Sequence, residues 1–189
     1  GGTYIKAGIV GANLKIHHSI ETPSGANFGA DSVKKNLRAA YNELAEVCRE
    51  KKYKIEHIGI GSPGTIKQPR GIVTGATPNI KGWHGVRLTK IFGKIDTPVY
   101  ADNDANCAAL AEYMVHYRMQ AGNLIFITIG TGIGGGLIID SRLFRGSNYA
   151  GGELGHMVLK HSGRLCKCGR RGCLEAYASV PNLMRRYYY

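Results

Sequence analysis

Apolar and polar residues alternate at the start of the chain, then change period. Residues 4–10 and 15–21 read as two strands joined at Gly11-Ala12-Asn13, a β-hairpin. From residue 32 to 51 the apolar positions Leu37, Ala40, Tyr41, Leu44, Ala45 and Cys48 recur at helical spacing, which predicts an amphipathic helix. Residues 55–60 form a short buried strand that runs into Gly61-Ser62-Pro63-Gly64. A Gly- and Pro-rich stretch, residues 71–85, holds Thr77-Pro78-Asn79 and the single tryptophan, Trp83. Residues 99–101 are another strand, ending in Asp102-Asn103-Asp104. The helix that follows is expected to bury Cys107, Leu110, Ala111, Met114 and Val115. Residues 124–129 are an apolar strand, residues 130–136 a tight glycine turn, and residues 136–140 the returning strand.

Strand pairs followed by a helix and a strand, repeated, indicate an α/β protein. The change of pattern near residue 105 predicts two domains. Residues 1–105 would be a small N-terminal α/β domain, and residues 106–189 an incomplete larger one with a phosphate hairpin and a metal loop. The hairpins at residues 2–21 and 124–140 look alike, each with a Gly-Thr turn, which points to an internal duplication.

Charge changes this picture little. A formal net charge of +12 invites a nucleic-acid reading, but Lys and Arg are scattered from Lys6 to Arg186 and no predicted helix carries a sustained basic face. Nucleic acid is therefore not an expected partner, and a phosphate-handling enzyme also gains from a positive field. No run approaches the roughly 20 apolar residues of a membrane span. The cysteine count changes more. Five is an odd number, and Cys166, Cys168 and Cys173 lie within one short segment. That favours a reducing, cytoplasmic setting and metal ligation over a disulfide framework. Cys48 and Cys107 fall on apolar helix faces, where a thiol is an ordinary small core residue.

The strongest chemical signal is His156-x9-Cys166-x-Cys168-x4-Cys173. Four soft or borderline ligands on one loop suit tetrahedral Zn2+, at about 2.0–2.3 Å from each donor. Four protein ligands close the site, so such a metal is structural. Gly130-Thr131-Gly132-Ile133-Gly134-Gly135-Gly136 between two apolar strands can turn backbone N–H groups and a Thr hydroxyl onto a phosphate, and Gly1-Gly2-Thr3 before the first strand offers the same chemistry. Neither ends in the Gly-Lys-Ser/Thr of a P-loop. Of Asp102-Asn103-Asp104, one residue is enough to cap the helix, leaving a carboxylate and an amide for function, such as accepting a hydroxyl proton during phosphoryl transfer. In Gly152-Glu153-Leu154-Gly155-His156 the proposed metal ligand keeps one ring nitrogen for another partner, and Glu153 can reach the same one.

Together these motifs resemble the ROK family of sugar kinases and sugar-responsive repressors. The resemblance runs from Gly-Gly-Thr through Ser62-Pro63-Gly64, Thr77-Pro78-Asn79 with Trp83, Asp102-Asn103-Asp104-Ala105-Asn106 and the glycine turn to the metal loop ending in Glu175. It implies an actin-like (ribonuclease H-like) two-domain α/β kinase fold closing over a hexose and MgATP. Asp104 would be the general base for the sugar 6-hydroxyl. Gly64, Asn79, Asn103, Glu153, His156 and Glu175 would bind the sugar, and Gly2, Thr3, Thr131 and Gly132 the ATP phosphates. His156, Cys166, Cys168 and Cys173 would hold the zinc. The resemblance also implies a dimer or tetramer, an upstream strand carrying an Asp that assists Mg2+, and roughly 100 further residues, a domain-sized segment. The chain as given would then be inactive alone. Gly-Gly-Glu-Leu-Gly-His is similar to the glucokinase branch, whereas fructokinases of the family carry a His-Pro-Glu version. N-acetylmannosamine and N-acetylglucosamine kinases share most of the motifs, and a repressor would add a helix-turn-helix segment.

Overall fold

The computed structural model describes residues 3–75 and 79–188. Gly2 and the Thr77-Pro78 part of the Thr-Pro-Asn motif lie outside the described residues. The chain divides into two compact units, Gly1–Asp104 and Ala105–Tyr189.

In the first unit, β1 (Tyr4–Val10) pairs antiparallel with β2 (Ile16–Pro23) as the predicted hairpin. Helix α1 (Ala30–Glu50) buries Ala30, Val33, Ala40 and Cys48, with Leu37 packed at the edge, so the predicted stripe faces inward. Strand β3 (Ile58–Ser62) runs parallel to β6 (Val99–Asn103), with Ile60 opposite Ala101 and Ser62 opposite Asn103. Both strands reach further at their carboxyl ends than the apolar runs suggest, because parallel pairing carries Gly61, Ser62, Asp102 and Asn103 into the ladder, while β3 begins at Ile58 and not at residue 55. Between them, β4 (Ile66–Lys67) and β5 (Ile72–Val73) make a small antiparallel pair. Val73, Leu88, Ile66 and Trp83 are almost wholly buried and join Val33 and Ile60 in one apolar core. Burying a large apolar side chain contributes about 1.5–3 kcal/mol, so this cluster anchors the loops around it. The Trp83 indole N–H donates to Ser62 Oγ at 3.0 Å, which fixes the carboxyl end of β3 to the core.

In the second unit, α2 (Asp104–Val115) leads into the antiparallel sheet β7 (Leu124–Ile129), β8 (Ile133–Ile139) and β9 (Arg142–Phe144). Two expectations are corrected here. The buried face of α2 is Ala105, Asn106, Ala109 and Tyr113, whereas Ala111, Met114 and Val115 are exposed and Cys107 and Leu110 half-buried. The glycine turn is also shorter than predicted. Gly134, Gly135 and Gly136 belong to β8, opposite Thr128, Ile127 and Phe126. One packing contact explains both. A Cβ on Gly136 would stand 2.5 Å from Ala109 Cβ and 2.9 Å from the Ala105 carbonyl, so the helix lies on the strand through small residues. The helix face that is buried carries Ala105 and Ala109 where it crosses the strand, with Tyr113 buried beyond them, and is not the most apolar one. Helices α3 (Glu175–Ala178) and α4 (Val180–Tyr188) follow the metal loop.

Candidate functional site

The first unit carries its candidate residues at the carboxyl ends of the parallel strands β3 and β6, where open α/β sheets bind ligands. Strand β6 ends at Asn103 and α2 begins at Asp104, with no loop residue between them. The Asn103 side-chain amide donates to the Gly64 carbonyl at 3.2 Å, tying the two strand ends together. Asp102 Oδ1 accepts from the Asn103 N–H at 2.8 Å, so this carboxylate is engaged locally, and Asp104 is the one that heads the helix. Asp102, Asn103 and Asp104 are half-buried, while Asn79 is exposed. Thr3 is exposed just before β1, and its carbonyl accepts from Ser24 N–H at 2.9 Å. The mutual bond of Asn103 and Gly64, and the support of Ser62 by Trp83, have no signature in the sequence.

The second unit gathers His156, Cys166, Cys168 and Cys173, whose ligand atoms all lie within 4.8 Å of one another. The loop achieves this by folding as a small antiparallel knuckle. Val158 bridges Cys173 and Leu165 bridges Arg171, while the Leu174 N–H donates to Met157 O at 2.8 Å. The knuckle closes tightly at Gly172, where φ is +86° and any side chain would collide with the Lys160 carbonyl. Cys168 Sγ lies 3.7 Å from Cys173 Sγ, and Cys166 Sγ lies 3.8 Å from His156 Nδ1. Tetrahedral ligation with metal–sulfur bonds of about 2.3 Å puts neighbouring sulfurs about 3.8 Å apart, so the donor set fits Zn2+. Burial pushes the Cys166 thiol up to about 11. Burial also works against the Cys168 thiolate, but hydrogen bonds from Arg170 and the neighbouring cysteines outweigh it and hold that thiol below its ordinary range.

The His156 ring turns Nδ1 toward the sulfurs and leaves Nε2 4.0 Å from Glu153 Oε2. The two sequence candidates therefore sit together, with the imidazole aimed outward from the metal ligands. Glu175 does something no motif suggests. Its Oε2 accepts the Ile133 N–H at 2.8 Å, and its Oε1 lies 3.8 Å from Cys166 Sγ. The carboxylate thus bridges the metal loop and the glycine turn. Within that turn, Gly130 N–H donates to Gly132 O at 2.9 Å, and just beyond it, between the paired strands, Gly134 N–H donates to Thr128 Oγ1 at 3.2 Å. The Thr131 and Gly132 N–H groups have no partner among the described residues, and an anion can take them up.

The ROK family model matches residues 1–188. The glucokinase of Thermotoga maritima is 34% identical over 186 residues, covering 98% of this chain and 57% of that enzyme. The xylose repressor of Caldicellulosiruptor bescii is 44% identical over 128 residues, covering 67% of this chain and 32% of the repressor. Among solved structures, a ROK family glucokinase from Streptomyces griseus in complex with glucose and AMPPNP matches with a TM-score of 0.84 at 34% identity, covering 98% of this chain and 57% of that one. The chain thus spans a little over half the length of the kinases it matches. Since the family model reaches across both units and every loop described, the chain belongs to the ROK family and has its actin-like α/β fold.

Proposed function

We propose that the protein carrying this chain is an ATP-dependent hexose kinase, with glucose as its sugar and glucose 6-phosphate and ADP as its products. The observation that carries this reading is the junction of β6 with α2. There a half-buried carboxylate, Asp104, heads a helix beside an asparagine already tied to the Gly64 carbonyl. Asp104 takes the proton of the sugar 6-hydroxyl as that oxygen attacks the γ-phosphorus of MgATP. The new O6–P bond forms while the P–O bond to ADP breaks, and the proton rests on the carboxylate. On this reading Gly64, Asn79, Asn103, Glu153, His156 and Glu175 bind the sugar, and the Thr3, Thr131 and Gly132 positions take the phosphates.

His156, Cys166, Cys168 and Cys173 would hold Zn2+, which would supply no chemistry to this step. Its part would be structural, fixing the His156 ring that faces Glu153. The thiols are unpaired as disulfides, in keeping with a reducing, cytoplasmic setting.

The test is a coupled ADP-release assay with the enzyme that contains this chain, across glucose, mannose, fructose, N-acetylmannosamine and N-acetylglucosamine. Glucose is expected to give the highest kcat/KM, and a preference for an N-acetyl sugar would move the assignment to that branch. The 44% identity to a xylose repressor supports a second reading, a sugar-responsive DNA-binding regulator. Hexose binding without ATP turnover, together with operator binding, would establish that reading instead.

A further inference from the structure

Ile133, the first residue of β8, is gripped by the two segments that flank the metal ligands. Its N–H donates to Glu175 Oε2 at 2.8 Å, and Glu175 stands two residues after Cys173. Its carbonyl lies so close to Gly155, the residue before His156, that any side chain on Gly155 would strike it. The opposite limb of the turn is held from the same side, since the Val180 N–H donates to Gly130 O at 2.9 Å. Val180 is kept in place by buried Ser179, whose Oγ accepts from Asn182 Nδ2 at 2.7 Å, and the same amide nitrogen donates to Glu175 O at 3.0 Å. The turn itself has one internal bond, Gly130 N–H to Gly132 O. Two glycines and a single internal bond leave such a turn many conformations. The outside contacts select one. A metal bound by His156 and Cys173 fixes the spacing of the two segments that grip Ile133.

We propose that the metal loop sets the geometry of the glycine turn: ligation closes Gly155 and Glu175 on the Ile133 peptide, and this holds the Thr131 and Gly132 N–H groups in register for a phosphate. The inference rests on the metal reading above and extends it from the hexose side of the site to the phosphate side. Glu175 acts toward the phosphate as a positioning residue. Its carboxylate packs against Gly132 and takes the Ile133 N–H, so it shapes the turn rather than binding the anion.

The experiment is amide hydrogen exchange by NMR on the full 15N-labelled chain, titrated with Zn2+, with Co2+ absorption as an independent readout of Cys3His ligation. Exchange protection reports local opening residue by residue. Zn2+ is expected to raise protection of the Ile133 amide at least tenfold, and that of Ile138, near the far end of β8, less than twofold. Glu175→Ala should abolish the gain, while Glu175→Gln, which keeps an acceptor oxygen, should retain most of it. Val180→Pro removes only the N–H to Gly130 O, at a first-turn helix position that tolerates proline, and should reduce the gain about threefold. Tetrahedral Co2+ bands with unchanged Ile133 exchange, or the full gain in Glu175→Ala, would overturn the coupling and leave the metal site standing. Absence of the Co2+ bands would overturn the metal reading and the coupling with it.

Discussion

The two units solve the same problem, holding loops still beside a strand end, with different materials. In the first unit the strand ends rest on a continuous apolar core, and Trp83 reaches from that core to Ser62. In the second, the loop after residue 156 has only Cys166, Cys173 and Ala176 buried together, with Tyr177 at the edge. That is too little apolar surface to order a loop of this length. The clustered donors His156, Cys166, Cys168 and Cys173 stand where a core would be. The loops of the first unit are therefore stabilised by solvent exclusion, and those of the second would, with a metal bound, be stabilised by bonds that a chelator can break.

Metal removal is the sharpest way to separate them. Chelation, or Cys168→Ser, forfeits a ligation free energy that is about 10–16 kcal/mol in small zinc domains. It should disorder the loop around residues 156–175 and weaken hexose binding at least tenfold by calorimetry. Trp83 is the only tryptophan and belongs to the first unit, so its emission should stay unchanged. A red shift on chelation would break the comparison. Next in size is Asp104→Asn, expected to lower turnover by roughly 10²–10⁴-fold with hexose affinity retained, since neither support is touched. Kinetics and calorimetry on the same variant check both halves of that statement. Trp83→Ala should cost about 3–5 kcal/mol in the first unit and, if the supports are independent, leave the Co2+ spectrum of the metal loop unaltered. Gly136→Ala should cost about 1–3 kcal/mol by forcing α2 off β8, read as a lower denaturation midpoint.

The smallest effect is that of pH. Burial raises the Cys166 thiol to about 11, so this group is protonated at neutral pH and metal binding must displace its proton. Affinity for Zn2+ should therefore fall as pH falls, by about tenfold per unit for each proton displaced. Among the described residues no such donor cluster lies in the first unit, so Trp83 emission should not follow the metal over the same range.

The elements were legible where one period dominated. The α1 stripe and the first hairpin needed nothing beyond spacing, and the gathering of His156, Cys166, Cys168 and Cys173 was readable because coordination chemistry limits the separation of such donors along the chain. The face of α2 was not. Met114 and Val115 are more apolar than Ala105 and Ala109, and hydropathy alone turns the helix the wrong way. What decides its orientation is the absence of side chains on Gly134 and Gly136, a property of another element. The same glycines, read in isolation, looked like part of a phosphate turn. Glu175 shows a related limit. A carboxylate after a ligating cysteine has a plain local reading, and its bond to Ile133, 42 residues away, exists only once the knuckle has folded.

The passage from Asn103 directly into Asp104 bears on how such a protein diversifies. A residue shared by a strand end and a helix start has no hinge of its own, so its side chain cannot be re-aimed without displacing one of those elements. Asn79, by contrast, sits exposed in the loop stretch between β5 and β6. If the proposed sugar contacts hold, a change of sugar is easier to reach through that loop than at the junction, where any change of aim displaces a strand or a helix.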